Sequence, residues 1–431
     1  MLKKINKRET TLLQAKGSKM VQTMRWSDLP LDLLANVFCY LSPDSLAIAS
    51  SVCRQWNTCV KAYTSYNTVH CRCPPWFLAI STRRPSLSCY AHNPVADKWH
   101  HLPLHRSAPV PALVRPIASV GIGGLILFRH TATTVLRLSL CNPFTAQFHP
   151  LPPLHFSRTN PAVGATVPSH PSSPLSFRIY VAGGMTVAPS GAAAAYHPTV
   201  EMYDSRCDTW KIMGSMPAEF AVRLTVWTPG GGVYCNGVLY WITSARTYSV
   251  MGFEIGGAAW RELRVPMADR LEFAALVQRN GKLTLIGGGC GGSGGGDAWI
   301  WELSAGEDCG WRVIEKLPEE LGKRFLGGKH SWDGTKCVGS DGVVWIYREL
   351  GSGMVAWRED SDGWQWLWIE GCCCDQQQRQ EEEEEEEART ESNNIIIPIQ
   401  GLLLHPNLSS GRREGAGRIS DQRCDAHVND N

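Results

Sequence analysis

Six aromatic side chains, Trp99, Phe148, Trp210, Trp260, Trp311 and Trp364, recur along the chain about fifty residues apart. This period constrains the fold more than any other feature. Each anchor sits in the same phrase: an apolar strand, a turn built on Asn-Pro, Asp or Gly, the aromatic residue, then often Leu-Pro or Met-Pro. The phrase runs Tyr90…Asn93-Pro94…Trp99…Leu102-Pro103, then Leu140…Asn142-Pro143…Phe148…Leu151-Pro152, then Tyr203-Asp204…Trp210…Met216-Pro217. Later copies are Phe253…Trp260…Pro266, Trp301…Trp311…Leu317-Pro318, and a degenerate one with Trp345-Ile346-Tyr347, Trp357 and Trp364. One strand-rich unit of this size cannot bury its apolar face alone, so its copies must pack on one another.

A second signal runs in phase with the first. Apolar strands tied to glycine pairs precede most anchors, as in Gly123-Gly124-Leu125-Ile126-Leu127, Ile179 to Gly184, and Leu283 to Gly288. Asn236-Gly237-Val238-Leu239-Tyr240-Trp241 opens on a dipeptide favoured in tight hairpins, because both residues tolerate positive φ. A β-sandwich with fortuitous tryptophan spacing is the alternative to a ring of repeats. Doublet glycines with Tyr and Trp at these offsets resemble kelch repeats, and the Asn-Gly-x-Leu-Tyr-Trp segment looks like the related plant F-box-associated repeats. The resemblance implies a six-bladed β-propeller over residues 67–370, each blade a four-stranded antiparallel sheet. The Pro/Ser/Ala-rich stretch within the long Phe148-to-Trp210 interval belongs on a surface loop.

Ahead of the repeats, Trp26 to Val60 has helical rather than strand periodicity. Asp28-Leu29-Pro30 and Ser42-Pro43 each set a capping residue just before a first-turn proline. Leu34, Val37, Phe38 and Leu41 follow at spacings of three and four, along one helical face. Leu46, Ala49 and Cys53 share a second face, and a third short helix carries Trp56 and Val60. Three helices this small enclose only a marginal core, so a partner is expected to cover part of their apolar surface. Leu29-Pro30, Leu33-Leu34, Val37-Phe38, Tyr40-Leu41, Leu46 and Val52-Cys53-Arg54-x-Trp56 together resemble an F-box. The resemblance places an F-box at 24–66 and implies docking on a Skp-family adaptor, and through it a cullin, by Leu29, Pro30, Leu33, Leu34, Val37, Phe38, Leu41, Leu46 and Trp56.

The fold class expected is therefore multi-domain, α plus all-β: a short three-helix F-box, a six-bladed kelch-type propeller, and disordered termini. A basic leader (1–23) and an acidic, low-complexity tail (371–431) complete the chain. Glu381 to Glu387 repel one another and stay solvated, and the tail's apolar island, Ile395 to Leu404, has no partner pattern. It is taken as part of the disordered extension, with a peptide motif as the alternative. A net charge of +2 over 431 residues gives no reason to invoke nucleic acid or an anionic membrane. No apolar run reaches the length of a membrane span. The sixteen cysteines lack an export signal and the spaced second pair that a zinc site needs, so a cytoplasmic or nuclear, reduced protein is expected.

No cofactor is expected. Gly287-x-Gly289-x-x-Gly292 satisfies a dinucleotide fingerprint in form only, because more glycines and the strand-like Ala298 to Trp301 follow it instead of a helix. No nucleophile elbow, zinc-protease helix or phosphate-loop lysine is present. A non-catalytic substrate receptor of a ubiquitin ligase, its propeller holding a protein target, is the function the resemblance implies. The alternatives are a scaffold acting without degradation and a propeller enzyme of the copper-oxidase kind. Arg223, Arg270 and Arg324 fall in the segments that cross between repeats and are the candidate target-binding residues, where a carboxylate, phosphate or acidic peptide would suit their planar forks.

Overall fold

The computed structural model describes residues 29–38, 41, 43–66, 74–81, 87–102, 104, 114–119, 124–167, 176–186, 195–228, 230–289, 297–304, 310–328, 331–372 and 399–406. The basic leader and the acidic run lie outside them. Three helices come first: α1 (Leu31–Phe38), α2 (Pro43–Val52) and α3 (Arg54–Tyr66). The Leu34 N–H donates to the Pro30 carbonyl at 3.0 Å, so the first turn is built directly on the proline. Leu34, Phe38, Leu46, Ala49, Cys59 and Val60 close a small core, with Trp56 edge-on to Phe38 at 5.3 Å.

From Trp76 onward the chain forms six four-stranded antiparallel sheets. Blade two holds Val114–Ser119, Ile126–His130, Leu138–Asn142 and Gln147–Pro150; blade three holds Ala162–Thr166, Arg178–Ala182, Thr199–Asp204 and Thr209–Ser215. Blade four runs Val233–Cys235, Val238–Ser244, Tyr248–Glu254 and Ala259–Arg264; blade five runs Leu271–Arg279, Lys282–Gly289, Asp297–Leu303 and Trp311–Lys316. Blade six is Lys336–Ser340, Val343–Tyr347, Met354–Asp360 and Gly363–Ile369. The first strands of successive blades neighbour one another all the way round, which makes them the inner wall of a six-bladed propeller. At one such meeting the strands come close enough for the Gly232 N–H to donate to the Val163 carbonyl at 2.8 Å. A Cβ on Gly232 would lie 2.7 Å from the Trp241 indole, so glycine is needed there. Asn236 and Gly237 have φ of 47° and 82° between paired Cys235 and Val238, the two-residue hairpin expected from that dipeptide.

Blade one departs from expectation. Its outer strands are Trp76–Ser81, Ser88–Asn93 and Lys98–Leu102, but its innermost strand is Ile399–Leu404, paired antiparallel to Trp76–Ser81 from Trp76↔Leu404 to Ser81↔Ile399. The expectation that 371–431 forms one disordered extension is wrong for this segment, and the propeller is not confined to 67–370. Nothing adjacent in sequence marks the strand, because its partner lies over three hundred positions away and no hairpin turn joins them.

The aromatic anchors sit on the outermost strands and reach backwards. The Trp210 indole N–H donates to the Pro152 carbonyl at 2.8 Å, Trp311 to Arg264 at 2.8 Å, and Trp99 to Glu370 at 3.1 Å. Each acceptor lies just beyond, or at the end of, the preceding blade's last strand. Blades one, three and five are thereby latched to their predecessors. The degree of burial separates two of these anchors, since Trp210 is buried and Trp311 is half exposed. Trp210→Ala should cost about 3 to 5 kcal/mol, the range for a large aromatic removed from a packed core, and Trp311→Ala distinctly less. Denaturant melts of the two variants decide it; equal losses would contradict the burial difference.

Candidate functional site

Two surfaces of this molecule are candidates for contact. The first is the helical unit. Of the thirteen large apolar side chains most exposed among the described residues, Leu31, Leu33, Val37, Ile48 and Val52 all belong to α1 and α2. Leu33 and Val37 are four apart on α1, and Ile48 and Val52 are four apart on α2, so each pair shares a helix face. Pro30 is exposed beside them. Ile48 is 68 % and Val52 59 % exposed, values that water alone does not favour for side chains of this kind.

These positions divide the residues expected to dock an adaptor. Leu33, Val37 and Pro30 do face outward, and Leu29, Leu41 and Trp56 are half-buried at the edge of the core. Leu34, Phe38 and Leu46 are buried inside it, so they shape the surface without forming part of it. Periodicity placed Leu34 and Val37 on one stripe, but the core takes only the residues facing α3. Leu31, Ile48 and Val52 were missed. Ile48 and Val52 fall between the stripe positions of the second helix, and an apolar residue there signals a second, outward apolar face.

The second surface is the propeller face onto which the chain emerges from each outermost strand before entering the next blade. Among the described residues, two of these crossings contain a helix, α4 (Ala218–Val226) between blades three and four and α5 (Glu319–Leu326) between blades five and six. Both start directly after a proline, Pro217 and Pro318, and both place an arginine six residues beyond it. Arg223 donates to Glu262 at 2.7 Å and to Ser249. The guanidinium holds the Glu262 carboxyl below its ordinary pKa. Arg324 donates to Glu370 at 2.7 Å and lies 4.0 Å from the centre of the Trp368 ring, whose indole N–H binds the same carboxylate at 2.9 Å. Each thus reaches a carboxylate on or just beyond the outermost strand of the blade ahead.

The crossing between blades two and three repeats the device with Pro152 and Arg158. Arg158 is fully buried, donates to the Gly183 and Thr199 carbonyls at 2.9 Å each, and pairs with buried Glu201. Burial works against its charge and Glu201 works for it. Glu201 also accepts from the His155 N–H at 2.8 Å. The arginine six residues after the crossing proline is therefore a clamp onto the following blade. Arg223 and Arg324, expected as target-binding residues, are thus both held by internal acids. Arg270, four residues after its proline, is exposed and makes no such clamp among the described residues. The proline-to-arginine spacing, repeated three times, is the sequence signal that reveals the clamps.

Glu201→Gln should leave a buried guanidinium with no counter-charge and cost about 3 to 5 kcal/mol. Glu262→Gln, at a more exposed clamp, should cost no more than about 1 kcal/mol. Thermal unfolding measured for both variants tests this ordering, and an inverted order would refute the clamp hierarchy.

Comparison with known proteins finds matches to both units, the helical one and the propeller. The F-box domain model matches residues 26–67 and the Kelch motif model matches residues 178–217. The chain is similar to Protein UNUSUAL FLORAL ORGANS of Arabidopsis thaliana, 24 % identical over 380 residues, covering 80 % of this chain and 79 % of that protein. It is also similar to two F-box/kelch-repeat proteins of the same plant. One is 24 % identical over 78 % of this chain and 83 % of that protein, and the other 26 % identical over 60 % and 67 %.

Proposed function

We propose that this chain, which belongs to the F-box/kelch-repeat proteins, is the substrate-recognition subunit of a Skp-cullin-F-box ubiquitin ligase, its propeller holding a protein for ubiquitination. F-box domains typically bind Skp-family adaptors, and kelch propellers typically bind protein targets. The observation that carries the reading here is the outward apolar face of α1 and α2, on a unit whose core has six buried apolar side chains among the described residues. A domain this small gains little from its own burial, and an apolar surface of this density is expected to be covered in use. The propeller contributes rigid walls and variable crossings, the arrangement that suits a binding frame.

The proposed mechanism is tethering. The apolar side chains of α1 and α2 dock the adaptor, the propeller holds the target, and the ligase supplies the chemistry of transfer. No side chain of this chain needs to react. No described helix is long and apolar enough to cross a membrane. A cytoplasmic or nuclear location is part of the proposal.

Replacing Leu33 and Val37 together with aspartate should abolish co-purification of a Skp-family adaptor. Because both side chains are exposed, the variant should lose no more than about 1 kcal/mol of stability. Leu34→Ala should instead weaken the fold by about 2 to 5 kcal/mol, as for a core leucine. Adaptor recovered at wild-type levels by the double variant would sink the docking assignment.

A further inference from the structure

The innermost strands of all six blades start at the face that carries the crossings. Where those of blades one, two and three start, they surround a cavity of about 220 Å³ lined by Arg115, Arg129, Asn160, Thr228, Gly231 and Gln400. Arg115 and Arg129 are direct cross-strand partners on the first two strands of blade two. Two guanidinium groups therefore rise from the same face of one sheet, an opposition that is unfavourable in a sheet unless something offsets it. Arg129 donates to the Asn160 side-chain carbonyl at 2.8 Å. Lys336, at the start of blade six's innermost strand, donates to the Ile399 carbonyl at 2.7 Å.

None of these three cations is in an ion pair among the described residues. Burial, and then the charge of Arg115, push the pKa of both Arg129 and Lys336 down. The carboxylate at the corresponding end of blade five, Glu272, is occupied by the Ser331 hydroxyl at 2.8 Å and the Trp332 N–H at 2.5 Å. Elsewhere on this face each crossing clamp has been given an acid. At the cavity no acid stands among the described residues, while the cations converge.

We infer that this cavity is the seat of an oxyanion, a carboxylate or a phosphate borne by an acidic segment of the target, gripped by the Arg115 and Arg129 guanidinium groups. The inference rests on the reading of the propeller as the target-binding unit and gives that unit a subsite. Arginine forks bind either oxyanion through paired, charge-assisted bonds. The cavity's size suits one or two side chains, so the rest of the segment would lie across the neighbouring crossings, Arg270 among them.

The test uses the full chain with its adaptor and three fluorescent peptides of one length: one rich in glutamate, the second with phosphoserine in those places, the third with glutamine. Saturable binding of at least one anionic peptide and none of the glutamine peptide is expected. The tighter of the two anionic peptides identifies the source of the oxyanion. Arg115→Gln and Arg129→Gln should each weaken that binding about tenfold or more, the scale of losing hydrogen bonds to a charged group. Exposed Lys98→Ala should leave it unchanged. Arg115→Gln should also raise the melting temperature of the peptide-free protein by relieving the like-charge pair. A fall in melting temperature would show Arg115 to be structural and overturn the inference. So would wild-type peptide affinity in both variants, or failure of every anionic peptide to bind. Adaptor recovery from the same preparations separates the two claims. Adaptor held with no anionic binding overturns the cavity alone; anionic binding without adaptor supports the cavity and counts against the ligase role.

Discussion

Closure of the ring by Ile399–Leu404 is the constraint on which the propeller depends. Each blade hides its apolar faces only against its two neighbours, so the buried residues fall into six clusters, one at each blade-to-blade interface. The last strand serves two of them. Leu402 and Leu404 pack towards blade two, while Ile399 and Leu403 pack towards blade six. Without it, blade one would show an open edge to the channel, and the interfaces on both sides would lose core residues. The Trp99 indole, bonded to Glu370, latches the same junction from outside. One junction thus joins the two ends of the propeller sequence by a strand inside and an indole outside.

This closure also orders events during folding. Pairing Trp76–Ser81 with Ile399–Leu404 requires a loop of more than three hundred residues to close, and loop entropy makes such contacts late and slow. The helical unit contains only local contacts and can form as soon as it is synthesised. Until Ile399–Leu404 is available, the faces of blades two and six that pack on it remain uncovered.

What the sequence made legible follows from the range of the interactions. The blade period, the Asn-Gly hairpin and the three helices depend on residues close together, and they stand where periodicity and turn chemistry place them. The indole latches were readable as anchors but not as hydrogen bonds, because their acceptors belong to the previous copy of the repeat. The final strand was illegible because it pairs at long range and follows an acidic stretch that suggests only solvation. The arginines pose a different problem. A basic residue in a crossing has the same appearance whether it meets solvent, a target or a carboxylate on the next blade. The placement of Glu201, Glu262 and Glu370 shows the carboxylates that Arg158, Arg223 and Arg324 meet.

The two surfaces also differ in the kind of stability they require. Propeller blades are covered on both faces by other blades, and that cover is always present once the ring is shut. The α1–α2 unit leaves Leu31, Leu33, Val37, Ile48 and Val52 in water, and its core is too small to offset much conformational entropy. On the receptor reading, adaptor binding supplies the missing cover, and its binding free energy becomes folding free energy for that unit. A chain without its adaptor would then carry a weakly stable module on a firmly closed ring. Exposed apolar helices of this kind invite proteolysis and association in a way the ring does not. The fraction of receptor in working form would therefore follow the supply of adaptor, through the physics of α1 and α2 and with no further regulatory site.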